Sequence, residues 1–182
     1  MKKLMPLILA ALLTLTACTG TSSSAPAPED SLAFLTSVWD SFPEDERFPA
    51  AGGDTENTNM DGPGRFSTAD ASLLDNVLGL PESASDKIDD AASLTHMMNA
   101  NSFTCGAFRL KDPGDAPDVA SAIKDNLLQR QWVCGFPDRL IILQTDNYVV
   151  SFFGTEDFVK PFRERLTDAY PSAKTLCDEP LA

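Results

Sequence analysis

The sequence has 182 residues, 43% of them hydrophobic and 23% charged, and a formal net charge of -13 at pH 7. This length suits one domain with a real core, and the apolar fraction excludes wholesale disorder. The acidity excludes nucleic acid as an expected partner, because binding phosphates needs a basic surface. With one histidine and four cysteines, multi-histidine metal sites and four-cysteine zinc sites within the domain are not expected.

The first residues have the pattern of an export signal. Two lysines follow the initiator methionine, and residues 4–15 are apolar but too short for a comfortable membrane span. The next stretch, LTAC ending at Cys18, resembles the lipobox of bacterial lipoproteins, in which cleavage precedes the cysteine and its thiol takes a diacylglycerol. We therefore expect residues 1–17 to be a signal peptide and Cys18 to be lipidated. The alternative is an ordinary secretory signal with an accidental cysteine.

Cleavage before Cys18 would change the formal side-chain charge from -13 to -15, because both lysines are lost. Two acyl chains give stable anchoring to a membrane where one is marginal. Residues 18–30 are then a lipidated flexible tether rich in Ser, Pro and Ala, and residues 31–182 are a single domain. We expect this domain on the outer face of the cell membrane, where anionic lipid would repel its acidic surface.

Helices and one long loop are predicted for the first part of the domain. Residues 31–42 carry apolar side chains at spacings of three and four, which indicates a helix. Residues 43–67 are rich in Gly, Pro, Asp and Asn and predict a long loop, either functional or disordered. A helix over residues 70–78, capped by Gly79, comes next, and residues 83–90 predict another helical turn.

From Ala92 onward the apolar period becomes that of strands. The predicted elements are strands over residues 93–98 and 102–110, a helix from Asp115 to near Trp132, strands over 140–143 and 148–153, a helix starting near Thr155, and a candidate edge strand over 173–177. This β-β-α-β-β-α order, preceded by the N-terminal helices, predicts an α+β fold. We expect a small antiparallel sheet with helices packed on one face.

Three cysteines remain once Cys18 carries the lipid. Thiols outside the membrane tend to pair, so one disulfide and one leftover thiol are expected. We favour Cys105 with Cys134, which would tie the second strand to the far end of the following helix, with Cys177 left free. The pairings Cys105–Cys177 and Cys134–Cys177, and free thiols throughout, stay open. Redox catalysis is not expected, because the sequence has no Cys-x-x-Cys motif.

The acidic part of the long loop offers weak candidates for calcium ligands, since calcium prefers oxygen donors. The oxygen-bearing residues are Asp54, Glu56, Asn57, Asn59 and Asp61. The EF-hand spacing is missing, because the glycine falls late, at Gly62, and no glutamate closes the loop. A solvated acidic loop is therefore the favoured interpretation, and we expect no metal.

His96 is the single histidine. A hydrolase would need it beside Ser93 or Ser102 and an aspartate, but no Gly-x-Ser-x-Gly motif is present. The favoured interpretation is a histidine half-buried on a strand, in a protein that is not an enzyme and has no cofactor. The candidate contact residues are His96 and the turn that follows it, with Met97, Met98, Asn99 and Asn101, beside the long loop.

Several stretches of the domain carry a family resemblance. They are FPED (42–45), DGPG (61–64), KIDDAASL (87–94), HMMNAN (96–101), FTCGAF (103–108) and QWVCGFPD (131–138). The chain resembles uncharacterised lipoproteins of gut Firmicutes that are similar to the DUF4358 family, over most of residues 31–180. The resemblance implies an α+β lipoprotein domain outside the membrane and no known activity. Some relatives carry the label bacteriocin transport accessory protein, which suggests thioredoxin-like chemistry; the missing Cys-x-x-Cys argues against that.

The sequence thus predicts a membrane-anchored surface lipoprotein with a non-enzymatic binding or scaffolding domain. Its partners would be the membrane, through the lipid, and an unknown envelope protein or small ligand. The alternative is an accessory factor for peptide (bacteriocin) export or thiol handling that uses Cys105 and Cys134. A hydrolase that uses His96 is a weaker alternative.

Overall fold

The computed structural model of the chain describes residues 28–133 and 135–181. The predicted signal peptide, the lipidated Cys18, most of the predicted tether and Cys134 lie outside the described residues. Within the described ranges, no helix combines the length and apolar character needed to cross a membrane. This part of the chain mixes helices with an antiparallel sheet, so the predicted α+β class is confirmed.

Five α-helices and eight strands occur among the described residues. The helices are α1 (Ser31–Asp40), α2 (Ala71–Leu73), α3 (Glu82–Ser85), α4 (Ala116–Gln129) and α5 (Glu156–Ala169). The strands are β1 (Ala50–Gly52), β2 (Asn59–Met60), β3 (Gly64–Phe66), β4 (Ile88–His96), β5 (Phe103–Leu110), β6 (Arg139–Thr145), β7 (Tyr148–Gly154) and β8 (Lys174–Pro180). A π-helical turn, Leu74–Leu78, continues α2 and ends at Gly79 in the left-handed conformation (φ 76°).

All eight strands belong to one sheet with the order β2-β1-β4-β5-β7-β6-β8, in which β3 also pairs with β4. The pairings are antiparallel throughout, and the central strands are in close register. Ala107 of β5 lies opposite Ala92 of β4 on one side and Val150 of β7 on the other. The C-terminal strand β8 forms one edge of the sheet, where Cys177 lies opposite Ile142 of β6.

Helices cover both faces of this sheet, so the prediction of helices on one face is wrong. On one face, α1 and α5 pack against Leu94, Cys105 and Phe152. On the other face, α4 and the helices around Leu74 pack against Phe108 and Ile142. All seven residues of β7 are buried. A strand buried on both faces reads as a continuous apolar run without alternation. The run of β7 is of this kind, but by itself it does not identify the elements that cover the two faces.

Helix α1 forms because its start is capped and one face is apolar. Asp30 caps it, with its carboxylate accepting the Ala33 N–H at 2.7 Å. Phe34, Leu35 and Val38 are fully buried on the inner face. Burying a side chain of this kind stabilises the fold by roughly 1.5–3 kcal/mol. The helix therefore belongs to the core.

Residues 43–67 hold three short strands, so the prediction of a long irregular loop is wrong. Strands β1 and β3 both pair with β4 along the same edge, at successive positions. They meet at Gly52 and Gly64, where a Cβ on Gly52 would lie 2.2 Å from the Gly64 nitrogen. Only glycine permits this approach of two backbones. The glycines that suggested a loop thus mark the place where β1 and β3 meet along the edge of β4.

The predicted helical turn over residues 83–90 is also wrong in its second half. Helix α3 ends at Ser85, and strand β4 begins at Ile88, so Asp89 and Asp90 lie on the strand. The Asp90 carboxylate accepts the Ser31 N–H at 2.7 Å and pairs with Arg65. Pairing with β5 outweighs the weak strand propensity of two aspartates, because strand formation depends mainly on tertiary context.

Candidate functional site

The sheet has two ends with different surroundings. The N-terminal segment enters beside the end of β5 and the start of β7, where Tyr148 donates its hydroxyl hydrogen bond to Pro28 O (3.1 Å) and Arg109 donates to Glu29 O (3.2 Å). The last residues of the predicted tether are therefore docked on the domain. At about 3.4 Å per residue, β5 spans about 24 Å. We call its other end, where the β4–β5 turn lies, the distal pole.

Four exposed apolar side chains occupy two loops at the distal pole. Met97 is 44% exposed, Met98 77%, Val133 74% and Phe136 66%. We call these four residues the apolar tip. The side-chain amide of Asn101 donates to Val133 O at 2.9 Å and to Gly135 O at 3.1 Å, which holds the two loops together. Exposed apolar side chains on two joined loops make this pole the candidate interaction site.

Polar groups hold the β4–β5 turn while its methionines face solvent. Asn99 Oδ1 accepts the Asn101 N–H at 3.0 Å, an Asx-type turn. Thr104 donates its hydroxyl hydrogen bond to Ala100 O at 2.9 Å, and the Met98 N–H donates to His96 Nδ1 at 3.2 Å. The predicted contact residues from His96 to Asn101 are thus brought together in one short turn.

His96 is half-buried at the end of β4, as predicted. Its ring stacks on Phe48, with centroids 5.5 Å apart and planes 16° apart, and packs against Phe158 at 5.1 Å. Ser93 lies three residues earlier on the same strand and so projects from the opposite face. Its hydroxyl accepts the Gly53 N–H at 2.9 Å. This arrangement does not pair Ser93 with His96, so the hydrolase alternative would depend on Ser102.

Acidic residues adjoin the apolar side chains of the distal pole. Asp61 follows the 55% exposed Met60 of β2, and Asp138 comes two residues after Phe136. Asp157 precedes Phe158, which packs on His96. All three aspartates are exposed, so negative side chains lie next in the chain to apolar residues, or close to them, at this pole.

The predicted calcium ligands have structural contacts. Asp54 is 8% exposed, and its two carboxylate oxygens accept hydrogen bonds from Ser67 N, Glu56 N, Asn57 N and Asn57 Nδ2 at 2.7–3.0 Å. Burial alone would raise the pKa of Asp54, but these hydrogen bonds bring the pKa below its usual value. Asn59 donates to Pro63 O. No group of three or more His, Cys, Asp or Glu side chains placed to hold a metal occurs within residues 28–133 and 135–181.

The described cysteines, Cys105 and Cys177, are buried, and no disulfide joins them to each other. They lie in different core layers, and β7 and β6 separate their strands. Three strand spacings amount to about 14 Å, beyond the roughly 7 Å between Cα atoms that a disulfide can span. The alternative Cys105–Cys177 pairing is therefore wrong. The pairings that involve Cys134 lie outside the described residues and stay predictions.

Burial shapes the chemistry of both thiols. It raises the pKa of Cys105 strongly and that of Cys177 less, with nearby Glu179 adding to the second shift. A thiol needs to ionise to act as a nucleophile. Burial therefore disfavours ionisation of both described thiols.

The sequence missed the second loop of the apolar tip. Val133 and Phe136 belong to the stretch QWVCGFPD, which predicted only a turn. Two large apolar residues beside a glycine and a proline in a loop were the available signal.

Comparison of the chain with family models, with curated proteins and with solved structures gave no match.

Proposed function

We propose that the chain is a lipid-anchored envelope lipoprotein that binds another envelope protein through its apolar tip and catalyses no reaction. The lipobox-like stretch ending at Cys18 supports the anchor. The observation that carries the proposal is the position of the apolar tip. It lies at the opposite end of the sheet from the docked segment Pro28–Asp30. A domain held from one pole presents the other to its surroundings.

The surface of the tip favours one kind of partner, an apolar segment flanked by basic residues. Methionine side chains are flexible and polarisable, so they adapt to apolar segments of varied shape. Amphipathic helices that dock on apolar surfaces are a common form of such segments. The aspartates beside the tip, Asp61, Asp138 and Asp157, and the net charge of -13 complement lysine or arginine on the partner.

The contacts of the other candidate residues support binding over catalysis. His96 packs between phenylalanine rings, and the described thiols are buried with raised pKa values. An accessory role in peptide export fits the same tip, since an exported peptide is a segment of the required kind. The resemblance to lipoproteins similar to the DUF4358 family agrees with an anchored domain and names no activity.

The anchor is tested by feeding cells a labelled palmitate. The chain with native Cys18 should take up the label and fractionate with membranes. Cys18→Ala should lose both, and Cys177→Ala, which removes another thiol, should keep both. Label in Cys18→Ala, or its absence from the native chain, would overturn the lipid anchor.

Binding is tested with a synthetic amphipathic helix of leucine and lysine, and the same helix with glutamate in place of lysine. Titration calorimetry should show binding of the lysine peptide only. A double change, Met98→Ser with Phe136→Ser, should weaken that binding at least tenfold. Leu128→Ser removes an apolar side chain that is 50% exposed on α4 and serves as the matched control. Equal losses in both variants would refute the tip as the binding surface.

A further inference from the structure

We propose that His96 makes the apolar tip sensitive to pH, because a protonated imidazole releases the Met98 N–H and frees the β4–β5 turn. This inference deepens the proposed function, since it concerns regulation of the same surface. It is carried by one hydrogen bond, in which the Met98 N–H donates to His96 Nδ1 at 3.2 Å. Met98 is the most exposed member of the tip, at 77%.

The chemistry of imidazole makes this hydrogen bond conditional. An imidazole accepts at Nδ1 only in the neutral form that carries its proton on Nε2. When a proton from solvent adds to Nδ1, both ring nitrogens become donors. Nδ1–H and the Met98 N–H then point at each other, and the bond is lost. Imidazole is the side chain that proteins most often use as a proton-dependent switch.

The packing around His96 keeps the ring in place in either charge state. Phe48 and Phe158 contact it from two sides, and a cation above an aromatic face is favourable. Protonation therefore removes the acceptor without expelling the ring. The element that responds is the turn, whose other hydrogen bonds involve Asn99, Asn101 and Thr104.

The elements packed against His96 carry several charged groups. On the segment before β1, Glu46 pairs with Arg165 and Arg47 lies near Asp40. On α5, Asp157 and Lys160 flank Phe158 in the sequence, with Lys160 paired with Glu156, and Asp61 follows β2. Within the described residues no ion pair involves His96. The hydrogen bond to Met98 is thus the contact through which protonation of this ring acts on the tip.

The test follows the methyl signals of methionine in the full chain, labelled with 13C, and the Met98 amide, by NMR across about pH 5 to 8. The Met98 signals should follow one titration curve, while the methyl of Met60, on β2, should stay constant. Two variants separate acceptor from charge. His96→Asn keeps an oxygen acceptor near the position of Nδ1, and His96→Phe keeps the aromatic packing without an acceptor.

In both variants the Met98 signals should not change with pH. In His96→Asn they should stay near their neutral-pH positions in the native chain, and in His96→Phe near their acidic-pH positions. A titrating imidazole beside unmoved Met98 signals would overturn the inference. So would an unchanged titration of Met98 in His96→Asn. These readouts need no partner. Failure of the leucine–lysine peptide to bind at any pH would count against the proposed function alone.

Discussion

The side-chain amide of Asn101 joins the two loops of the distal pole by donating to Val133 O at 2.9 Å. The loops are about thirty residues apart in the sequence, and they come from different elements, the β4–β5 turn and the segment after α4. The same amide also donates to Gly135 O, so Asn101 contacts two backbone carbonyls of the second loop. The apolar tip thus depends on one polar side chain.

Replacing Asn101 by alanine should separate the loops. We expect the free energy of unfolding to fall by about 1 kcal/mol for each hydrogen bond lost, and the affinity for the leucine–lysine peptide to fall with it. Urea unfolding and calorimetry measure the two effects. Asn76→Ala, at an exposed site on the π-helical turn, is the control and should change neither. Unaltered peptide binding in Asn101→Ala would contradict the bridging role.

Gly79 lets the π-helical turn end in a left-handed backbone conformation. Its φ of 76° is left-handed, and a Cβ there would lie 2.7 Å from Leu127 Cδ2. Gly79→Ala should therefore lower the free energy of unfolding by about 1–2 kcal/mol from backbone strain, and further from displacement of the buried Leu127. Gly62→Ala is the control, because its Cβ would meet nothing closer than 3.5 Å. Urea denaturation of both variants gives the comparison, and equal stabilities would contradict the strain.

Asp54 should make the free energy of unfolding depend on pH in the acidic range. Its pKa in the folded chain is lowered, so its stabilising effect is complete above the unfolded value of about 3.9. That contribution is lost as the pH falls through the lower folded value. Asp54→Asn should therefore unfold more easily at neutral pH, by about 1–3 kcal/mol, and lose less stability on acidification. Asp45→Asn removes an exposed carboxylate as the control. Parallel pH profiles for Asp54→Asn and the native chain would refute this prediction.

The two described thiols should differ in reactivity. Cys105 is fully buried with a strongly raised pKa, whereas Cys177 is 7% exposed and has a smaller rise. Under reducing conditions, iodoacetamide at mildly alkaline pH should modify Cys177 well before Cys105. Peptide mass spectrometry over time measures both rates, and unfolding in urea should equalise them. Rapid modification of native Cys105 would mean that the layer under α1 and α5 opens readily.

Much of the secondary structure was predictable because it depends on local patterns. The cap at Asp30, the left-handed Gly79 and the apolar run of β7 are short-range signals that the sequence states directly. The region 43–67 was not predictable in the same way. Its strands β1 and β3 form because they pair with β4. Glycine composition gives the same signal for a loop and for a place where two backbones come close together.

The candidate site was likewise predictable only in part. The turn from Met97 to Asn101 was identified from the sequence, and His96 was predicted on a strand, at whose end the structure places it. Val133 and Phe136 were missed, since their exposure depends on how the segment after α4 is tied to Asn101. The glycine and proline beside Phe136 indicate a loop, but they do not state whether its phenylalanine is exposed or buried.

By itself, the sequence determined the α+β class, the acidic character of the domain and the expectation of an anchor at Cys18, because these follow from composition and from neighbours along the chain. The tertiary structure decided which face each strand presents, that both faces are covered, and that two distant loops form one apolar tip. Those features depend on contacts between residues far apart in sequence. The relation between the docked Pro28–Asp30 and the distal pole likewise exists only once β5 separates them.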